Sequence, residues 1–375
     1  MAKTIEFYFL SCISIILQFL FLSILKEYDE EFLKYIEITV LSQTIISIFG
    51  SIQFYIYEKN NRKTFNTNKT FLYIFILTIV LISIFYLFKN FLYFIFFITT
   101  LGSLGSLLLN TAIFSRFNLQ RFSTYYLFFF TLFKTSILYF AFKMNFNFYY
   151  SLIFINIILI FTLFIFKMNI AIKEDGFSLL SLINNFFGSG ITTIDKLYCN
   201  KFLTFLAADY YIIFRLSSIV QYLTEVMFRK ERYEITSGIE NINNRNLYMK
   251  IVICLIFIIF CFIFLENLSL FESLILQYNL NLIFSLLVIA QQYKLEFVFV
   301  SLGFLLNGIS GLRYDFIYKK YSQKKLMIIN SSNFLLFMFL IFISSTIFHL
   351  CLAFLFVQIF NYLIVKMYEK KLKVL

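Results

Sequence analysis

The chain has no proline and no tryptophan among its 375 residues, and it has 10 glycines and a single histidine. Charged residues make up 14% of it, whereas soluble proteins carry about 25%. Without proline, any break in a helix must come from glycine, serine or asparagine. With so few charges, the chain lacks the polar surface that a soluble domain exposes to water, which excludes that class.

Apolar residues are abundant instead. They make up 61% of the chain, and Phe alone occurs 56 times. Thirteen apolar runs, most of them about 20 residues long, are close to the length that crosses a bilayer as a helix. The five cysteines lack metal-site spacing, and we interpret them as small apolar residues. The sequence therefore predicts an all-α, polytopic membrane protein.

Loop charges predict how the chain is oriented. With the N-terminus in the cytoplasm, 23 of the 32 Lys and Arg residues fall in inner segments and 7 in outer segments, as the positive-inside rule requires. This split holds only if 266–312 crosses once. We therefore predict twelve crossings with both termini cytoplasmic, and 272–290 as an interfacial or re-entrant piece or part of one long tilted span. The net charge of +12 follows from these inner loops and does not indicate nucleic acid.

An internal repeat is visible at an offset of 170 residues. Residues 24–35 read ILKEYDEEFLKY and residues 194–205 read IDKLYCNKFLTF, with five identities. Each stretch joins two predicted spans, the first to the second and the seventh to the eighth. Repeats of this kind are common in transporters, where the substrate path lies between the halves. We predict two lobes of six helices, 1–170 and 171–375.

The second copy continues into a longer motif, ITTIDKLYCNKFLTFLAADYYIIFRLSSIV, at 191–220. With twelve short-looped spans and a basic loop after the eighth, it resembles the multidrug/oligosaccharidyl-lipid/polysaccharide exporter superfamily. In that superfamily an acidic residue closes span seven, and a step like AADYY opens span eight. Within the superfamily the chain looks most like bacterial O-antigen and polysaccharide flippases of the Wzx type.

The resemblance implies two pseudo-symmetric lobes around a central cationic cavity. It implies a flippase in the bacterial inner membrane that moves an undecaprenyl-diphosphate-linked oligosaccharide, such as an O-antigen unit for lipopolysaccharide, from the inner to the outer leaflet. Transport would proceed by alternating access, coupled to H⁺ or Na⁺, without a cofactor and without enzymatic activity. The implied partners are the lipid-linked oligosaccharide, membrane lipids, a polysaccharide polymerase and a chain-length regulator. The chain departs from some relatives in having Gln18, Gln43 and Gln53 where they use basic residues.

Two cations fall deep inside predicted spans, where a charge persists if it is paired, hydrated or functional. Arg215 lies about 10 Å into span eight, and Ser218, Tyr222 and Glu225 follow it on one helical face. Lys134 lies midway through span five. We predict Arg215 and Lys134 as diphosphate ligands, since cations bind phosphate oxygens. The alternative for Arg215 is a buried pair with Asp195, Asp209 or Glu225, and for Lys134 a role as an ion-pair partner.

The remaining charges of the motif lie nearer the outer surface by position. We predict that Asp195, Lys196, Lys201 and Asp209 reach headgroups or outer water in a hairpin that gates the cavity. Asp195, Lys196, Asp209 and Glu225 are candidates for gating or ion coupling. GSG at 188–190 predicts a bend within span seven.

Other classes of protein remain as alternatives. A drug/cation antiporter of the same superfamily would need an acidic cavity, whereas both deep charges here are cations. A polysaccharide polymerase would need a large outer loop with catalytic charges, and the outer loops here are short. The acidic cluster DEE at 29–31 belongs to the repeated hairpin, and His349 lies near an outer end, so we expect no enzyme.

Overall fold

Most of the described residues belong to α-helices. The computed structural model describes residues 10, 13, 16–18, 20–24, 26, 30–48, 65–66, 95–96, 98–103, 120–165, 170–171, 179–237, 244–277, 281–320 and 323–374. Its helices are α1 Glu30–Ile48, α2 Gln120–Lys143, α3 Phe148–Ile165, α4 Leu179–Gly190, α5 Ile194–Phe202, α6 Thr204–Ser237, α7 Asn244–Glu266, α8 Leu268–Gln277, α9 Asn281–Gln292, α10 Lys294–Lys320, α11 Gln323–Phe342 and α12 Ile347–Val374.

Helix is the expected outcome for such apolar runs, because a helix satisfies its backbone hydrogen bonds internally where no water is present. The helical class predicted from the sequence is confirmed for the described residues. Two strands of two residues, β1 Phe65–Asn66 and β2 Ile170–Ala171, pair in parallel beside the helices. The chain divides into two compact units, 1–186 and 187–375; the predicted lobe boundary at residue 170 stays a prediction.

In the second unit, α10 is the central helix. It packs against α6 through Ser217, whose hydroxyl donates to the carbonyl of Phe297 at 3.1 Å, and against α12, where Phe304 and Phe354 make an edge contact. Near the start of α10, Phe297 contacts Ser217 and Phe299 contacts Phe348. Further along α10, Gly308 lies against Thr224 and Arg313 pairs with Glu369, so α6, α10 and α12 run in one direction. α11 runs in the opposite direction, with Leu326 near its start packed against Val365 near the end of α12.

Two glycines of α10 allow this close packing. A Cβ on Gly303 would lie 2.6 Å from Cε1 of Phe354, and one on Gly308 would lie 2.6 Å from Oγ1 of Thr224. Real Cβ atoms do not come so close to other heavy atoms. Gly303 and Gly308 are therefore points where α10 meets its neighbours at backbone distance.

The first unit holds α1, α2 and α3 together through aromatic and polar contacts. Tyr35 of α1 meets Phe148 of α3 edge to face. Between α2 and α3 the chain turns through Asn145, whose φ of 51° lies in the left-handed region that asparagine tolerates. The Asn147 side chain then accepts the Tyr149 N–H at 2.9 Å, which caps the start of α3.

Residues 244–277 and 281–320 form two long helical segments, each bent at one turn residue, Asn267 and Tyr293. The N–H of Asn267 donates to Ile263 at 3.1 Å between α7 and α8, and the N–H of Tyr293 donates to Ile289 at 3.1 Å between α9 and α10. The helical hydrogen bonding thus continues across both bends. Residues 272–277 and 281–290 belong to the distal ends of these two helices; that 272–290 form no separate crossing stays a prediction.

Four helices among the described residues are long and apolar enough to cross a membrane: Leu247–Glu266, Lys294–Arg313, Lys325–Phe342 and Ile347–Glu369. Their burial differs, since 56% of Lys294–Arg313 is buried inside the protein and 17% of Leu247–Glu266. Lys294–Arg313 therefore lies in the core of the second unit, and Leu247–Glu266 lies at its periphery. The count of twelve crossings stays a prediction, and the apolar run at 71–88 lies outside the described residues.

Candidate functional site

Predicted span seven is broken in its middle. α4 ends at Gly190, residues 191–193 form a turn, and α5 begins at Ile194. The bend predicted from GSG at 188–190 is thereby confirmed. Gly190 also allows close contact with α11, because a Cβ there would lie 2.4 Å from the Phe334 ring.

Side chains next to the break satisfy the carbonyls that it frees. The hydroxyls of Thr192 and Thr193 donate to the carbonyl of Ser189 at 2.9 and 3.1 Å. The Lys196 ammonium donates to the carbonyl of Thr192. Hydroxyl side chains commonly fill this role where a helix is interrupted inside a membrane, and here a lysine joins them.

Asp195 and Lys196 form a buried ion pair one turn after the break. Lys196 Nζ lies 3.3 Å from Oδ1 of Asp195, and the two side chains are 6% and 0% exposed. The Tyr210 hydroxyl of α6 donates to Oδ2 of Asp195. Lys196 Nζ lies 3.3 Å from the centroid of the Phe214 ring, also on α6. The pair therefore joins α5 to α6, with a partner for each charge.

This burial corrects the prediction that Asp195 and Lys196 reach outer water or headgroups. The turn at 191–193 restarts the helix in a new direction, so α5 directs Asp195, Lys196 and Cys199 into the protein. Lys201 is exposed, as predicted. Asp209 is half-buried, and its Oδ2 accepts from the Tyr293 hydroxyl at 3.4 Å.

Arg215 lies on the less buried face of α6. The side chains on this face are half-buried: Arg215, Ser218, Tyr222 and Glu225. Those on the packed face are buried: Ser217, Val220 and Thr224. The predicted polar stripe is therefore present as a face that α10 does not cover.

Two contacts along this stripe join residues one turn apart. Arg215 Nε donates to the Tyr211 hydroxyl at 3.0 Å, and the guanidinium carbon lies 5.1 Å from the centroid of that ring. Further along, Gln221 Nε2 donates to Oε1 of Glu225 at 3.0 Å. Tyr211 thus fixes the direction of the arginine from one turn away.

Lys134 of α2 is held by rings in the first unit. Its Nζ lies 4.1 Å from the centroid of Phe21 and donates to the Tyr35 hydroxyl at 3.4 Å. Next to it, Thr135 donates to the carbonyl of Leu17 at 3.2 Å. Cation–ring contacts of this kind are worth about 0.5–2 kcal/mol, the higher values applying when water is excluded.

The two copies of the repeated hairpin differ in burial. Phe32 and Tyr35 of the first copy are buried in the first unit. Their counterparts in the second copy, Phe202 and Phe205, are exposed. Sequence identity between the copies therefore does not extend to equivalent packing of their aromatic side chains.

Sequence reasoning missed Tyr210 and Phe214 as partners of the buried pair. The signal was present, because both lie on α6 four residues apart and so share one helical face. Without the direction of α5, however, nothing linked that face to Asp195 and Lys196.

Comparison of the chain with protein-family models, with curated proteins and with solved structures finds no match in any of the three. Its class follows from the fold alone: it is an α-helical membrane protein.

Proposed function

We propose that the protein is a flippase that moves an undecaprenyl-diphosphate-linked oligosaccharide from the inner to the outer leaflet of the bacterial inner membrane by alternating access. The observation that carries the proposal is the pair of cations within the helical units, Lys134 on α2 and Arg215 on α6, each held by aromatic side chains. Guanidinium and ammonium groups bind phosphate oxygens through charge-assisted hydrogen bonds, which is why these two cations support a diphosphate as the ligand.

Arg215 is the principal ligand in this proposal. It lies on the accessible face of α6, and a guanidinium can donate two parallel hydrogen bonds to a phosphate. Lys134 contributes a second positive charge to the diphosphate. Both termini face the cytoplasm, two six-helix lobes surround the cavity, and the surface glycan made from the transported unit is O-antigen or a related polysaccharide.

The buried pair Asp195–Lys196 acts as a latch in the same cycle. It joins α5 to α6 next to the break in span seven, so any movement of α5 against α6 must loosen it. Asp209 and Glu225, with neutral partners at Tyr293 and Gln221, are the further gating or coupling groups.

The test is complementation of a strain that lacks the gene, with Arg215→Ala, Arg215→Lys and Lys134→Met. We expect Arg215→Ala to abolish surface glycan and to leave lipid-linked oligosaccharide on the inner leaflet, while Arg215→Lys retains part of the function. The matched control is Lys201→Ala, which removes an exposed cation of the hairpin and should leave glycan at its normal level. Normal glycan with Arg215→Ala, at equal protein level, would remove Arg215 from the site.

A drug/cation antiporter is the second candidate, because the second unit does contain a buried carboxylate, Asp195. Lys196 already occupies one of its oxygens, which disfavours a cationic substrate there. Efflux of ethidium from cells that express the protein, lost in Asp195→Asn and kept in Arg215→Ala, would favour the antiporter over the flippase.

A further inference from the structure

The bends at Asn267 and Tyr293 lie at the same level of the two long helices. Glu266, just before the first bend, pairs with Lys294, just after the second. Beyond this ion pair α8 and α9 continue as a helical hairpin. The pair therefore marks the base of the hairpin, at the ends of the candidate spans Leu247–Glu266 and Lys294–Arg313.

The helices are too long for the hydrocarbon layer alone. From Asn244 to Gln277 the bent helix measures about 50 Å, and from Asn281 to Lys320 about 60 Å, at about 1.5 Å per residue. The hydrocarbon layer is about 30 Å thick, which the 20 residues of each candidate span already fill. Residues 268–277 and 281–292 must therefore lie outside that layer or bend into its boundary.

The two helices of the hairpin differ in their surroundings. α9 is packed on the protein, with Leu286, Ile289 and Ala290 buried. α8 is the outer helix, and its Leu270 is 72% exposed and its Phe271 39% exposed. An exposed apolar edge on the outer helix requires something to cover it.

The sequence of α8, LSLFESLILQ, is amphipathic. Ser269 and Glu272 are three residues apart, which places these two polar residues along one side of the helix. Leu270 and Phe271 belong to the other side. A helix with one polar and one apolar side is typical of helices that lie in the plane of a membrane surface. The polar side faces headgroups and water, and the apolar side faces the acyl boundary.

The exposed face of α7 leads directly into this edge. Ile256, Ile259, Phe260 and Ile263 are exposed along α7, at spacings of three and four residues, and Leu270 continues the series beyond the bend. A helix that is 17% buried inside the protein faces lipid along most of its length. The apolar edge of α8 is therefore continuous with a lipid-facing surface.

We propose that α8 is an interfacial helix that binds the membrane at the boundary between headgroups and acyl chains. Its Leu270–Phe271 edge inserts among the lipids, and Ser269 and Glu272 stay in the hydrated layer. The bends at Asn267 and Tyr293 let the hairpin lean from the axis of the spans onto the bilayer. In the predicted orientation this is the outer leaflet, where the hairpin fixes how deep α7 and α10 lie.

The absence of tryptophan from the chain allows a direct test. Three variants each carry one tryptophan: Leu270→Trp on the apolar edge, Ser269→Trp on the polar side of the same helix, and Ile256→Trp at mid-span. The full-length protein is reconstituted in phosphatidylcholine/phosphatidylglycerol vesicles whose acyl chains are brominated near the carbonyl end or near the methyl end. Tryptophan quenching by each lipid, and by aqueous iodide, is then measured.

We expect Leu270→Trp to be quenched most by bromine near the carbonyl end and little by iodide. Ser269→Trp should be quenched by iodide, and Ile256→Trp most by bromine near the methyl end. Strong iodide quenching of Leu270→Trp without lipid quenching would overturn the proposal in favour of a protein partner in water. Strongest quenching near the methyl end would overturn it in favour of a membrane-crossing hairpin. The outcome does not depend on transport activity.

Discussion

The strength of the Asp195–Lys196 pair can be measured by removing its two charges separately and together. Asp195→Asn keeps the shape of the side chain and leaves the Lys196 ammonium buried without its carboxylate. Breaking a buried pair in this way costs about 3–5 kcal/mol, because one charge remains uncompensated in a medium of low dielectric constant. Lys196 keeps its contact with the Phe214 ring, which offsets part of that cost.

Lys196→Met leaves the Asp195 carboxylate instead. Tyr210 still donates to it, so we expect the loss of stability to lie at the lower end of the same range. The double variant Asp195→Asn, Lys196→Met contains neither charge. Neutral groups of similar volume often replace a buried pair at little cost. We therefore expect the double variant to lose about 1–2 kcal/mol of unfolding free energy, well below the sum of the losses in the two single variants.

Buried thiols supply the assay. Cys199 and Cys351 are buried in this unit, so a thiol-reactive dye reports unfolding during denaturant titration in mixed micelles. Lys201→Met is the matched control, since Lys201 is exposed and surface substitutions are usually within about 0.5 kcal/mol. The double variant could instead lose as much unfolding free energy as the two single variants combined, within about 0.5 kcal/mol. The two side chains would then not be coupled, and the proposed latch between α5 and α6 would be refuted.

Two further predictions concern packing and topology. Gly308→Ala should destabilise the protein by about 1–3 kcal/mol, because its Cβ would lie 2.6 Å from Thr224 Oγ1; Gly188→Ala is the control, since the nearest atom there, on Asn330, is 3.4 Å away, and equal losses would contradict the packing argument. Lys320→Cys, in a background without other cysteines, should react with an impermeant maleimide from the cytoplasmic side, and labelling from outside would refute the predicted orientation.

Local chemistry in the sequence was sufficient to predict several features. GSG marked the break after Gly190 because glycine and serine are the helix-weakening residues available to a chain without proline. Lys201 was expected at the surface from its position between two spans. Each of these inferences depends on a residue and its immediate neighbours.

The burial of Asp195 and Lys196 could not be predicted in that way. Their depth follows from the direction in which α5 restarts after the turn, and that direction is set by contacts with Tyr210 and Phe214 on another helix. The same holds for Glu266 and Lys294, which meet because two bends fall at one level. Tertiary geometry of this kind is not contained in hydrophobic periodicity.

The break at 191–193 has a property that a proline kink lacks. All of residues 188–193 are non-proline, so each retains the N–H that a continuous helix needs. The bent form is held by hydrogen bonds from Thr192, Thr193 and Lys196 rather than by a ring that forbids straightening. Straightening of 179–202 would therefore require release of these three hydrogen bonds and of the contacts that hold Lys196 to Asp195 and Phe214, but no change in covalent geometry.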